Sequence, residues 1–163
     1  MSAKQQFAKV FEREHATTRR VLLSLPASKS EFKPYPDAPV ARVVASIFSQ
    51  GQWAIAQAMS GQWEWPPRGK PGATNTYEEV LALFDETGAA AVSAIAAAPE
   101  SRLDEMVPFI RGPQRVEPIP VSELVWFMLM DAIHHRGQFS VYLRAAGEKV
   151  PSIYGPTAHE PWM

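Results

Sequence analysis

The sequence has no cysteine in 163 residues. That removes disulfides, thiolate nucleophiles and every cysteine-based metal or redox centre. It also lacks an excess of charge of either sign, with 16 Lys plus Arg against 17 Asp plus Glu and a formal net charge of -1. Its only adjacent arginines, Arg19 and Arg20, stand alone, so the basic face that binds a polyanion is missing and no nucleic-acid partner is expected. No apolar run approaches the roughly 18 residues of a membrane span, and the charged opening has no h-region. Neither membrane insertion nor secretion is expected, and the cytoplasm is the expected compartment. The patterns GxSxG, GxxxxGK[ST], HExxH and GxGxxG do not occur, which leaves nucleophile elbows, phosphate loops and zincin sites without a foothold.

What remains is 46% hydrophobic, and length and composition predict one globular domain over residues 1–163. Phe7, Val10, Phe11, Thr18, Val21, Leu22 and Leu25 recur near three and four, behind a Ser2/Gln5 capping pattern, and predict a first helix stopped by Pro26. Pro26, Pro34, Pro36 and Pro39 favour an extended connector with Asp37 as helix N-cap. A second helix follows from near Pro39, its apolar stripe interrupted by Ser46, Gln50 and Gly51. Residues 60–74 read as a loop with two anchoring tryptophans, Trp63 and Trp65. Thr76 and Glu79 cap a third helix with an alanine-rich second half that allows close approach of a neighbour. Residues 99–120, rich in proline, read as irregular with room for one short hairpin. The last helix is expected from near Ser122 to Gly147, with a polar stripe at Arg136, Ser140 and Arg144, and an extended aromatic tail follows it. The fold class is all-α: a four-helix bundle.

On the last helix Leu124, Met128, Asp131, His135 and Tyr142 fall within a sector of about 60°. Asp131 and His135 therefore share a largely apolar face, one turn apart, and are expected to point into one interior hollow. A buried carboxylate needs a partner, because its desolvation costs several kcal/mol. Three explanations stand side by side: a structural hydrogen bond, a divalent-metal site completed from another helix, or an acid/base dyad. His134 lies about 100° from His135, so the two imidazoles cannot serve one site. His15 is free to face either way, and His159 reads as solvated.

The run HisHisArgGlyGlnPheSerValTyrLeuArgAlaAlaGly at 134–147, followed by ValProSerIleTyrGlyPro at 150–156, resembles the DinB-like (DinB/YfiT-like) family of four-helix-bundle metalloproteins. Supporting similarity lies in LysProTyrPro at 33–36, the helix after Thr76, and the first helix with Glu14, Thr17 and the ValLeu at 21–22. The resemblance implies an up-down-down-up bundle, frequently homodimeric, with a divalent cation held by one histidine of the second helix and two of an HxxxH on the last. It also implies kinship with thiol-dependent transferases and isomerases, and the activity expected here is metal-assisted transfer or hydrolysis on a small molecule. Of these ligands His135 matches the final histidine, Asp131 stands at the first, and Ser46 stands at the second-helix position, with Gln50 one turn later as the other candidate. An Asp/His pair with a hydroxyl or amide oxygen is a harder set than three imidazoles. The expected site, Asp131, His135 and either Ser46 or Gln50, is therefore a weaker one for Zn, Ni or Mn, or has no metal. The competing expectation is a non-catalytic, metal-free binding or scaffold protein.

Overall fold

A computed structural model describes residues 1–161. Helix α1 spans Ala3–Leu23, α2 Ala41–Ser60 and α3 Tyr77–Ala97; strands β1 (Met106–Gly112) and β2 (Arg115–Pro120) lead directly into α4, Val121–Ala145. Short 3-10 turns at Ala27–Lys29 and Glu100–Asp104 shape two of the connections. The molecule is mostly helical, and the all-α expectation is corrected by the antiparallel β1–β2 pair.

Local chemistry sets the helix ends. The Ser2 and Thr76 side chains accept from the backbone N–H groups of Gln5 and Glu79, whose side chains return the bond, so both capping boxes are complete. At the end of α4, Gly147 takes φ +78°. Its N–H donates to Arg144 O and that of Glu148 to Leu143 O, the paired bonds of a Schellman ending that needs a residue without a Cβ. Helix α2 departs from expectation: its N-cap is Val40, not Asp37, and no side chain caps it. The Ala41 N–H donates instead to Phe32 O and that of Arg42 to Ser30 O, so the preceding connector satisfies these donors.

In the hairpin Pro108 faces Pro118 across one rung. The Pro108 carbonyl turns outward and accepts the Trp63 indole N–H at 2.9 Å, so this rung does without the N–H groups that proline cannot supply.

Helix α2 packs between α3 and α4, and α1 closes the opposite side against the same two helices. The α2–α3 contact is the most extensive, as the small residues of α3 allow. Helix α3 is long and apolar enough to cross a membrane by length and composition alone; its stripe of Tyr77, Val80, Phe84, Ala91 and Ile95 is buried in the bundle.

The core divides into two apolar clusters. One gathers Phe7, Phe11, Ile55, Met59, Ile95 and Leu124, and the other Val21, Leu22, Phe48, Phe84, Phe139 and Leu143. Between them, every helix contributes polar side chains to the interior: Glu14 and Thr18 on α1, Ser49 and Gln52 on α2, Thr87 on α3, Arg136 and Ser140 on α4. These groups form a polar waist between the two clusters.

Candidate functional site

Asp131 and His135 lie on the side of α4 that borders α2. The His135 Nδ1 lies 2.9 Å from the Asp131 main-chain oxygen and 3.4 Å from its carboxylate Oδ2. A carbonyl can only accept, so Nδ1 carries a hydrogen, and in the neutral ring the lone pair is on Nε2. The two side chains are 39% and 21% exposed, which corrects the expectation of an interior hollow. They face outward clefts between α4, α2 and the adjoining loops.

Asp131 borders a cleft of about 330 Å3 that also includes Gln50, Gly51, Trp53, Trp63, Trp65 and Phe109. His135 borders a neighbouring cleft of about 430 Å3 with Tyr35, Pro39, Gln138 and Tyr142, and Ile47 lines both. The structure therefore joins Asp131 to His135 and sets Gln50 in the Asp131 cleft. Ser46 is buried, its hydroxyl donating to Arg42 O at 3.0 Å, and it lines neither cleft. Among the described residues no three His, Asp or Glu side chains gather in a metal-binding group.

The other histidines separate cleanly. His134 is exposed with its ring 86° from that of His135, and His159 is exposed as expected. His15 turns inward, stacked on Phe84 at 4.6 Å between centroids and 2° between planes. Its Nδ1 meets the Gln52 amide nitrogen at 2.7 Å, and the Gln52 oxygen accepts from the Thr87 hydroxyl at 2.8 Å. Burial pushes the His15 imidazole below its ordinary pKa, against the pull of Asp85 in the other direction.

The polar stripe expected at Arg136, Ser140 and Arg144 is divided by the fold: Arg144 is exposed, whereas Arg136 and Ser140 are buried. Arg136 is the largest fully buried side chain. Its guanidinium donates to the Glu14 carboxylate at 2.6 Å, to Thr18 Oγ1 at 3.1 Å and to the Tyr154 hydroxyl at 2.6 Å. The Tyr154 hydroxyl also lies 2.6 Å from Glu14 Oε2, and the tyrosine ring lies under the guanidinium at 5.2 Å. Burial raises the Glu14 pKa, but hydrogen bonds from Tyr154, Arg136 and Arg13 outweigh it and hold the carboxyl below the usual range. The same surroundings push the Tyr154 phenol above its ordinary value, burial first and the bond to Glu14 second.

A signal for this network was present in α1. Phe7, Phe11, Glu14, Thr18 and Val21 step by four and three along one face, so Glu14 stands at the centre of a buried stripe.

Comparison with known proteins agrees with the fold. The DinB family model matches residues 1–162. The uncharacterised protein YrdA of Bacillus subtilis is 30% identical over 128 residues, 78% of this chain, and the chain spans about half (52%) of that relative's length. A DinB-like protein from Bacillus cereus superposes with a TM-score of 0.74 at 19% identity, covering 92% of this chain and 97% of its own. The DinB-like protein YjoA of Bacillus subtilis gives 0.72 at 18% identity, covering 91% and 97%. A mycothiol-dependent maleylpyruvate isomerase gives 0.65 at 13% identity, covering 83% of this chain and 60% of its own. With a family match that runs through both the α4 motif and the buried Glu14–Arg136 network, the chain belongs to the DinB family.

Proposed function

We propose that this protein is a metal-assisted transferase or hydrolase that acts on a small molecule in the α2–α4 clefts, with Asp131 and His135 at the reacting end. The observation that carries the reading is the pinned imidazole. A histidine that ligates a metal typically donates its other ring N–H to a carbonyl or carboxylate, and the Asp131 carbonyl takes that role for His135. The donor types suit a weakly held divalent cation once side-chain rotation brings His135, which lines one cleft, to Asp131 and Gln50, which line the other. His135 Nε2, the half-exposed Asp131 carboxylate and the Gln50 amide oxygen would hold it, with Mn favoured over Zn or Ni by the oxygen-rich composition. Such an ion, when bound, supplies Lewis acidity towards a substrate oxygen or a water. The chain itself contributes orientation of the imidazole and an apolar wall, Ile47 and Met128, which limits water at one side.

A second reading, a metal-free binding or scaffold member of the family, is favoured by Ser46. Its hydroxyl is buried and committed to Arg42 O, so the second-helix position offers no exposed donor. Untagged protein incubated with Mn, Zn or Ni and then freed of excess ion decides between the two. About one retained equivalent of metal is expected, absent from Asp131→Ala and from His135→Ala. At a free-ion concentration of about 100 times Kd the wild type gains about 2.7 kcal/mol of stability. No retention of any of the three ions leaves the metal-free reading in place.

The proposal extends to an up-down-down-up helix path and a homodimer in the cytoplasm, with neither nucleic acid nor membrane as partner. The path is supported by contacts at the helix ends: the Tyr77 hydroxyl at the start of α3 donates to Leu22 O at the end of α1, and Arg42 near the start of α2 reaches Thr74 just before α3. The dimer is supported by Phe127, Met130 and Val141, exposed apolar side chains that share one face of α4. Trp126 packs edge-on against Phe7 at 5.1 Å, so a charge there tests the core and not an interface. Met130→Glu is expected to halve the size-exclusion mass with an unchanged melting curve; an unchanged mass removes this face from the interface.

A further inference from the structure

We propose that the Asp131 cleft takes an amine-bearing aromatic molecule, its ring against the tryptophan wall and its ammonium against the Asp131 carboxylate. The inference rests on the reading that the α2–α4 groove is the functional site, but it needs no metal. Its basis is the convergence of Trp53, Trp63, Trp65, Phe109 and Phe127 on one cleft. Trp53 and Trp63 stand 6.1 Å apart at 55°, Trp65 and Phe109 6.3 Å at 63°, and Phe109 and Phe127 5.3 Å at 67°. The tilts present faces as well as edges to the space between, and aromatic faces attract cations through the ring quadrupole. The Trp63 indole N–H is held by Pro108 O, which anchors the loop wall to the hairpin. The cleft therefore depends on β1, whose Val107 and Phe109 also join the bundle core.

Charge complementarity selects among aromatic ligands. Among the described residues Asp131 is the one carboxylate of the lining, and it has acceptor capacity to spare, because the shorter contact of His135 Nδ1 goes to the main-chain oxygen. Among the described residues the one cation of the lining is Lys70, on the exposed loop between α2 and α3. Among the described residues no arginine borders the cleft, so none of them offers the bidentate fork that grips phosphates and carboxylates. An anion would meet both the carboxylate and the negative faces of the rings; an ammonium is favoured by both. The volume of about 330 Å3 lies at the lower end of small-molecule sites and suits a single ring with a short arm.

The test uses three probes of similar shape, 2-phenylethylamine, 2-phenylethanol and 3-phenylpropanoate, titrated against metal-free protein by calorimetry and tryptophan fluorescence. The amine is expected to bind at least tenfold more tightly than the alcohol, and the propanoate most weakly. In Asp131→Asn the preference for amine over alcohol should shrink to within twofold, and in Trp53→Ala both should weaken together. Equal affinity for amine and alcohol in the wild type, tightest binding of the propanoate, or binding of none of the three overturns the inference. His135→Ala separates it from the metal reading, since that variant should lose ion retention and keep its amine affinity within twofold. Protein that prefers the amine but retains no ion refutes the metal reading alone; protein that retains an ion without preferring the amine refutes this one alone.

Discussion

Arg136→Met is expected to lower the unfolding free energy by about 3–5 kcal/mol, the range found when one partner of a buried ion pair is removed. For a chain of this size the fall in Tm is on the order of 10 °C. The magnitude follows from burial: Arg136 is 1% and Glu14 2% exposed, so the substitution strands a carboxylate where no water can take over from the guanidinium. The Tyr154 hydroxyl and Arg13 would remain on it, which keeps the loss within the stated range. Restoring neutrality with the pair Glu14→Leu and Arg136→Met should recover most of it, because apolar replacements of buried pairs are often neutral or stabilising. Denaturant melts of the wild type, each single variant and the double variant supply the cycle, and additive losses would refute the coupling. The pH dependence carries its own sign. The folded Glu14 pKa lies below its ordinary 4.5, so its contribution is complete above that value and is lost as pH falls through the folded pKa. Acid should therefore narrow the gap between the wild type and Arg136→Met.

The waist to which this pair belongs explains which features could be read from the sequence. Both capping boxes and the Gly147 ending were legible because each is decided by residues within four positions of one another. The tryptophan loop was legible because breakers without a period surround Trp63 and Trp65. The hairpin was obscured by Pro108, Pro118 and Pro120, which break the strand signature; only tertiary pairing shows that Pro108 and Pro118 share a rung. The burial of Arg136 was not legible for another reason. Helical periodicity places a side chain on a face, but it cannot say that the face is covered by Glu14, 122 positions away. Asp131 and His135 were correctly placed on one face, yet angular position alone could not distinguish an interior hollow from the open clefts beside α2.

An interior belt of polar groups also bears on specificity of packing. Two apolar clusters stacked along a bundle can slide or exchange partners at small cost, whereas Arg136 has one position from which it reaches Glu14, Thr18 and Tyr154 together. Buried polar groups that fix register are known in helical assemblies. Here the belt ties all four helices and the tail, and it lies behind the α4 segment that carries Asp131 and His135. Through residues 135 and 136 of one turn, the buried pair and the exposed cleft share a rigid support.

Gly88→Ala should be the second strongly destabilising change, by about 2–4 kcal/mol, although alanine is the better helix former. In an open helix the replacement would gain up to about 1 kcal/mol. At position 88 an added Cβ would meet His15 Cε1 at 2.3 Å and Nδ1 at 2.8 Å, too close for any real contact. The ring cannot simply rotate away, because Phe84 stacks on it at 4.6 Å and Gln52 bonds it at 2.7 Å. Overpacking of this kind costs about 1–3 kcal/mol. Displacement would also leave the Gln52 amide with one unpaired hydrogen in the interior, a further cost of about 1–3 kcal/mol. The offsetting helix propensity leaves the stated net loss. Adding His15→Ala to Gly88→Ala should restore part of the stability, since it removes the atoms that clash, and a double variant no better than Gly88→Ala would refute the steric account. The His15 imidazole has its pKa lowered by burial, so its contribution in the wild type is complete above its ordinary value of 6.5 and is lost as pH falls through the lowered one. Wild-type stability should thus decline in two stages on acidification, first through His15 and then through Glu14, and the first stage should be missing from both variants that lack the imidazole: His15→Ala alone and the double variant.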